Sequence, residues 1–245
     1  MAVLPGDLSR DPAAPEGALP LYDFHTHSFL SDGALAPIEL FRRAVVAGYT
    51  AMGLSDHSGA GGLERRLREG AADCRLARER WDFPVYPGVE LTHVPASAVA
   101  ELAALARRSG ALYVVVHGET PVEPTEPGTN LAAVSCPNVD LLAHPGLITE
   151  EEARLAAENG VFLEVTAKPG HSLGNGHVVE WARQAGARIL LGSDTHDPSG
   201  LLSPDFARTV LRGAGVKEEE LAGILRDNPE VLLERIRHRE ESKDA

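Results

Sequence analysis

Seven short apolar runs punctuate the chain: LYDF, AMGLS, VYPGV, LYVVV, DLLA, VFLEV and RILLG. Each is continuous rather than alternating, which is how strands buried on both faces of a parallel sheet read. Segments of helical spacing lie between them, over 37–47, 98–108, 150–158 and 178–185, and Gly48, Gly110, Gly160 and Gly186 follow in the manner of left-handed helix caps. The residues at the run ends, His25, His57, Glu90, His117 and His144, succeed one another at about 30 residues, the size of a strand plus its crossover helix. With 245 residues, close to the roughly 250 of a single α/β barrel, the repeat predicts one barrel rather than several domains.

The flanks read differently. Residues 1–20, rich in Pro and Gly and without a basic segment leading into an apolar one, are expected to form a flexible leader. Residues 21–237 form the predicted single domain. Its end is helical, with Ser203-Pro204 as cap and first position, the same device repeated at Asn228-Pro229, and Gly213 and Gly215 between them. Fraying is expected after Arg235, and 238–245 reads as a charged tail.

Charge and composition narrow the function. A formal net charge of −13 without a Lys/Arg cluster disfavours binding to a nucleic acid polymer. Two cysteines, Cys74 and Cys136, with no CxxC give neither a thiolate zinc knuckle nor a disulfide framework, so a cytoplasmic location is the expectation. No stretch approaches the ~18 uninterrupted apolar residues of a membrane span.

The chemistry sits where the runs stop. His25 and His27 follow the first, Asp56 and His57 the second, Glu90 the third, His117 the fourth, His144 the fifth, and Asp194 and His196 the seventh. All strand C-termini of a parallel barrel open on one rim, so these side chains are predicted to converge there. Residues two apart on a strand point the same way, so HTH and DTH each deliver a pair. Asp32 adds a carboxylate and Gly33 a sharp bend just beyond the first pair. A lone histidine is more often a satisfied polar residue than a ligand, but six of the ten histidines fall at strand ends in step with the repeat. Mixed imidazole and carboxylate donors suit Zn, Mn or Fe, and their number exceeds what one ion needs.

The ordered set HTHSFLSDG, LSDHS, PGVE, VVVHGE, LLAHPG and LGSDTH, from about Leu21 to about Asp197, resembles the motifs of the polymerase and histidinol phosphatase (PHP) family. That resemblance implies a distorted (β/α)7 TIM-like barrel with extra C-terminal helices, holding up to three divalent metal ions (Mn, Zn or Fe). It implies His25, His27, Glu90 and Asp194 at the first ion; Glu90 as a bridge with His117 and His144 at the second; and Asp32, His57 and His196 at the third. Some members have histidine where this chain has Asp32. Two close metals lower the pKa of a bridging water toward neutrality, and a third can hold ester oxygens.

The implied activity is a metal-dependent phosphatase, similar to stand-alone histidinol-phosphatase-type members and acting on a small phosphorylated substrate. Phosphodiester or exonuclease chemistry on short nucleotides, and a non-catalytic accessory module, are the alternatives. Around the ligands, His93, Lys168 and His171 are candidate catalytic groups, and Glu119 and Asn175 candidate substrate contacts. Asp56 is a candidate for orienting a ligand from behind. The loop GETPVEPTEPGTN after His117 reads as a lid. His177 and His238 are expected to be bland.

Overall fold

The computed structural model describes residues 19–244. All seven apolar runs are strands: β1 (Tyr22–Asp23), β2 (Ala51–Leu54), β4 (Val85–Leu91), β5 (Tyr113–His117), β6 (Leu141–Ala143), β7 (Phe162–Thr166) and β8 (Ile189–Gly192). A two-residue strand, β3 (His57–Ser58), resumes the line of β2 after a break at Ser55 and Asp56, and pairs with the far end of β4. Every pairing is parallel, in the order β1-β2-β4-β5-β6-β7-β8. The ring closes between its first and last members through the Thr26–Thr195 bridge, where Asp194 N donates to His25 O at 2.9 Å and His27 N to Thr195 O at 3.0 Å. The result is a TIM-like α/β barrel of seven staves.

The strands are buried on both faces because two apolar layers meet them. Outward-pointing Val114, Val116, Leu142 and Leu163 pack under the helices, with α1 (Pro37–Val46), α2 (Leu63–Trp81), α3 (Val99–Arg108), α4 (Thr129–Val134), α5 (Glu150–Asn159) and α6 (Asn175–Ala185) around the outside. Inward-pointing Phe24, Tyr113, Val115, Leu141, Phe162 and Leu190 fill the barrel. Tyr113 lies across Gly53 and Gly88, and a side chain at either position would collide with its ring. The four helix-ending glycines all have positive φ.

The C-terminal helices depart from expectation. Ser203 caps α7 (Pro204–Gly213) as predicted, accepting from Phe206 N at 3.2 Å. Asn228 is not an N-cap: its φ of −67° is helical, and a π-helical turn over Gly223–Asp227 runs directly into α8 (Asn228–Asp244). The wide turn accommodates Pro229 without a break, and the Asn228 amide donates to Ile189 O at 2.9 Å instead. Nor does the chain fray after Arg235. Helix α8 plugs the N-terminal mouth of the barrel with Leu232, Leu233 and Ile236, and Arg239, within the expected tail, donates to Leu112 O at 2.9 Å and Asp140 Oδ1 at 2.8 Å. The expected leader lies outside the described residues up to position 18; Leu19 packs against the core.

Candidate metal centre

Each strand end delivers its side chain to the C-terminal mouth. His25 and His27 come from the extension of β1, His57 from β3, Glu90 from β4, His117 from β5, His144 from the turn after β6, and Asp194 and His196 from the turn after β8. Glu90 sits at the middle, with Oε1 3.5 Å from His25 Nε2 and 4.0 Å from His144 Nε2, and Oε2 3.8 Å from His27 Nε2 and 2.9 Å from His57 Nε2. Asp194 closes the other side, 3.2 Å from His27 Nε2 and 3.8 Å from those of His25 and His144. Donors about 2.0–2.2 Å from one shared ion lie roughly 3–3.5 Å apart, so these spacings are those of a coordination shell.

A second group lies on the rim. Asp32 Oδ1 is 3.4 Å from His57 Nδ1 and 3.3 Å from His196 Nε2, with a ring nitrogen of His27 within reach of all three. On the opposite side His117, His144 and His171 gather, the rings of the last two 4.3 Å apart. The groups His25/His27/Glu90 and His25/His144/Asp194 complete the inner cluster.

Satisfaction of polar atoms tests whether metal fits here. Buried donor and acceptor atoms almost always have partners. Yet His25 Nε2, both nitrogens of His27, Glu90 Oε1 and Asp194 Oδ1 are buried without one. Atoms of this kind, all facing one another, fit divalent cations.

Charge states agree. Burial pushes His27 down to about 4 and His144 well below the usual imidazole range, which leaves both neutral with lone pairs available. Burial would raise Glu90 and Asp194, but the charges of His25 and neighbouring imidazoles hold both carboxylates low and ionised. His25 differs: burial is outweighed by Glu164, Glu90 and Asp194, which raise it and favour the imidazolium, so a metal ion at Nε2 would replace its second proton.

The structure also contains a partner the sequence did not disclose. Glu164, the one acid in the run VFLEV, points inward from β7, fully buried. Its Oε1 is 2.7 Å from His25 Nδ1, and its Oε2 accepts from His144 N at 2.8 Å. It takes the Nδ1 proton of His25, which leaves Nε2 as the nitrogen facing Glu90 and any bound metal. Gly192 faces it because any side chain there would strike the carboxylate. The readable signal was an ionisable residue at an inward position of a doubly buried strand.

Backbone strain concentrates here too. His93, His144 and Asp194 have φ of 51°, 27° and 50°, a region non-glycine residues avoid unless surrounding structure imposes it. Asp56 orients a loop rather than a ligand ring: it accepts from Ser28 N, Ser28 Oγ and Ser31 Oγ, each at 2.7 Å, and so pins the segment carrying Asp32.

Of the other candidates, Lys168 and His171 reach the mouth. Lys168 Nζ lies 2.7 Å from His196 Nδ1, 3.1 Å from Asp194 O and 3.8 Å from Asp194 Oδ1. His93 stands at the rim, its ring 4.5 Å from that of His117. The other two are held by backbone groups. Glu119 turns away to accept from Gly128 N and Asn130 N, both at 2.9 Å, tying off the loop at the start of α4. Asn175 is committed to the backbone of Thr166, accepting from its N at 3.1 Å and donating to its O at 2.8 Å. Both side chains satisfy loop backbone. His177 bonds Ile148 O at 2.7 Å and His238 is exposed on α8, as expected.

No protein-family model matches the chain. In sequence it is similar to an uncharacterized protein of Methanocaldococcus jannaschii, 42% identical over 216 residues that cover 88% of this chain and 99% of that protein. Ribonuclease P protein component 3 of Methanococcoides burtonii is 27% identical over 235 residues, covering 89% and 88%. In three dimensions an amidohydrolase structure matches with a TM-score of 0.56 at 13% identity, covering 89% of this chain and 75% of that one. A candidate histidinol phosphatase of Listeria monocytogenes matches with a TM-score of 0.52 at 11% identity, covering 74% and 97%. Likenesses at such low identity establish the shared barrel fold.

Proposed function

The chain belongs to one family with the Methanocaldococcus jannaschii protein, whose length it covers almost entirely, and from that premise and the site we propose a metal-dependent phosphoesterase of the PHP type that hydrolyses a small phosphomonoester. The observation that carries this reading is the set of buried, partnerless donor atoms of His25, His27, Glu90 and Asp194, facing one another at one mouth of the barrel. His25, His27, Glu90 and Asp194 would hold one ion, Glu90, His117 and His144 a second, and Asp32, His57 and His196 a third. Bound there, divalent ions supply an activated water and neutralise phosphate charge. The PHP-like order of the sequence motifs and the barrel shared with the candidate histidinol phosphatase support the assignment.

This chain's own groups then have distinct tasks. Glu164 keeps Nε2 of His25 aimed inward. Lys168 adds a cation beside Asp194 and His196, where it would draw a phosphate oxygen toward the third cluster. His171, packed on His144, and His93, at the open rim, are the imidazoles positioned to give a proton to the leaving oxygen. A second reading is phosphodiester hydrolysis, favoured by the similarity to a protein named for ribonuclease P. The net charge of −13 weighs against a polymer.

The test is purified protein loaded in turn with Mn²⁺, Zn²⁺ or Fe²⁺ and assayed against phosphomonoesters, nucleotides, diesters and amides. Monoester turnover lost in His117→Ala supports the proposal. Turnover of diesters or amides alone replaces it, and bound metal without turnover of any of them leaves a binding module.

A further inference from the structure

The loop over 118–128 brings one more carboxylate to the mouth. Glu123 Oε2 lies 3.0 Å from His93 Nε2 and 3.0 Å from His117 Nε2, and its Oε1 is 3.3 Å from His171 Nε2. One side chain thus spans three imidazoles from three separate segments. Its position is built. Glu119 fixes the far end of the loop on Gly128 and Asn130, and Asn130 ties it to Pro145 O at 2.9 Å. At the near end Gly118 packs so closely on Ala143 O that no side chain would fit. Between these anchors residues 121–124 are exposed, so Glu123, 38% exposed, meets the 3%-exposed ring of His117 from the solvent side.

The hydrogen-bond roles make this contact informative. His117 Nδ1 faces Gly118 O at 3.1 Å, and a carbonyl only accepts, so Nδ1 carries a proton; Thr125 Oγ1, 3.2 Å from Nδ1, donates to the same carbonyl, and in the neutral ring the Nε2 lone pair points at Glu123. A lone pair facing a carboxylate oxygen at 3.0 Å repels unless a second ring proton or a metal cation lies between them, and a metal held by His117 takes the place of that proton. His93 Nε2 can donate to the same oxygen and hold it in place.

We propose that Glu123 is a loop-borne ligand of the ion on His117, and that an incoming phosphate displaces it. The inference rests on the metal-dependent reading above. A carboxylate and a phosphate are competing anions for the same cation, and the exposed arch lets Glu123 leave without unfolding any helix or strand. Glu123 would then strengthen metal retention in the resting protein and weaken anion binding, two effects of opposite sign.

That opposition provides the test. The full chain and its Glu123→Gln and His93→Gly variants are titrated with Zn²⁺, and each metal-loaded protein with inorganic phosphate, by calorimetry. Glycine at 93 retains the positive φ. The expected result for Glu123→Gln is a metal site weakened at least about tenfold together with phosphate bound more tightly than by the parent, with His93→Gly moving both the same way by less. Unchanged metal and phosphate affinities overturn the proposal. So does weakening of both, which marks a residue that only shapes the loop. Anomalous diffraction from the zinc-loaded full chain is the second measurement: zinc bonded to both Glu123 and His117 is expected, and zinc on His117 with Glu123 turned away contradicts it. Absence of zinc from every cluster would instead refute the underlying metal-dependent reading.

Discussion

At the N-terminal mouth of the barrel, α8 sets Leu232, Leu233 and Ile236 against Phe162, Leu190 and Tyr22, and side chains cap the loose backbone: Asn228 to Ile189 O, Arg235 to Gly160 O, Arg239 to Leu112 O. At the C-terminal mouth the same strands end in imidazoles and carboxylates. Among the described residues, seven of the eleven buried side-chain atoms left without a partner belong to the site residues His25, His27, Glu90, His144, His171 and Asp194. One end of the barrel is finished for stability and the other is left unfinished for a ligand. The comparison teaches that burial alone does not mark a core: Glu90 is as buried as Phe162, but its neighbours are imidazoles whose spacings fit cations among them.

Substitutions can break this contrast. The largest effect is expected from Glu90→Gln, which touches four imidazoles: turnover should fall by roughly a thousandfold and bound metal should drop in elemental analysis. The metal-free protein should also melt lower, because the imidazoles that hold Glu90 ionised lose their counter-charge. Leu233→Ala, at the plugged mouth, should spare the metal. It should cost about 2–5 kcal/mol in denaturant unfolding, while metal content per folded molecule stays constant. Glu164→Gln sharpens the boundary between the two: it keeps the shape but loosens the orientation of His25, so metal affinity should weaken by roughly 10–100-fold in a competitive chelator titration. Thr149→Ala belongs to neither mouth. Thr149 caps α5 in a reciprocal box with Glu152, and its loss should cost about 1 kcal/mol of stability with no change in metal affinity.

Much of the barrel was legible because doubly buried parallel strands leave continuous apolar runs, and glycines with positive φ mark where helices stop. The candidate ligands were legible for a related reason: a parallel barrel gathers every strand end on one rim, so residue type and position in the repeat suffice. What escaped depends on side-chain direction or on distant partners. Glu164 looked like part of an apolar run until its inward parity on β7 met His25. Glu123 lay among the prolines and acids of a loop whose path only the anchors at Gly118 and Asn130 define. For Glu119 and Asn175, read as substrate contacts, what escaped was the need of loops as tight as theirs for side chains that satisfy backbone, as both do. The tail from Arg235 looked solvated because its charges are many, yet Arg239 and Glu240 are engaged with Asp140 and Arg78.

Everything proposed for the C-terminal mouth depends on its holding metal. Crystals of the full chain grown with Mn²⁺ or Zn²⁺ and measured at the absorption edge give the most direct answer. Anomalous peaks are expected among His25, His27, Glu90 and Asp194, with further peaks at His117 and beside Asp32. An ordered mouth with no peak at millimolar metal, its histidines and carboxylates bonded only to one another, would contradict the central claim.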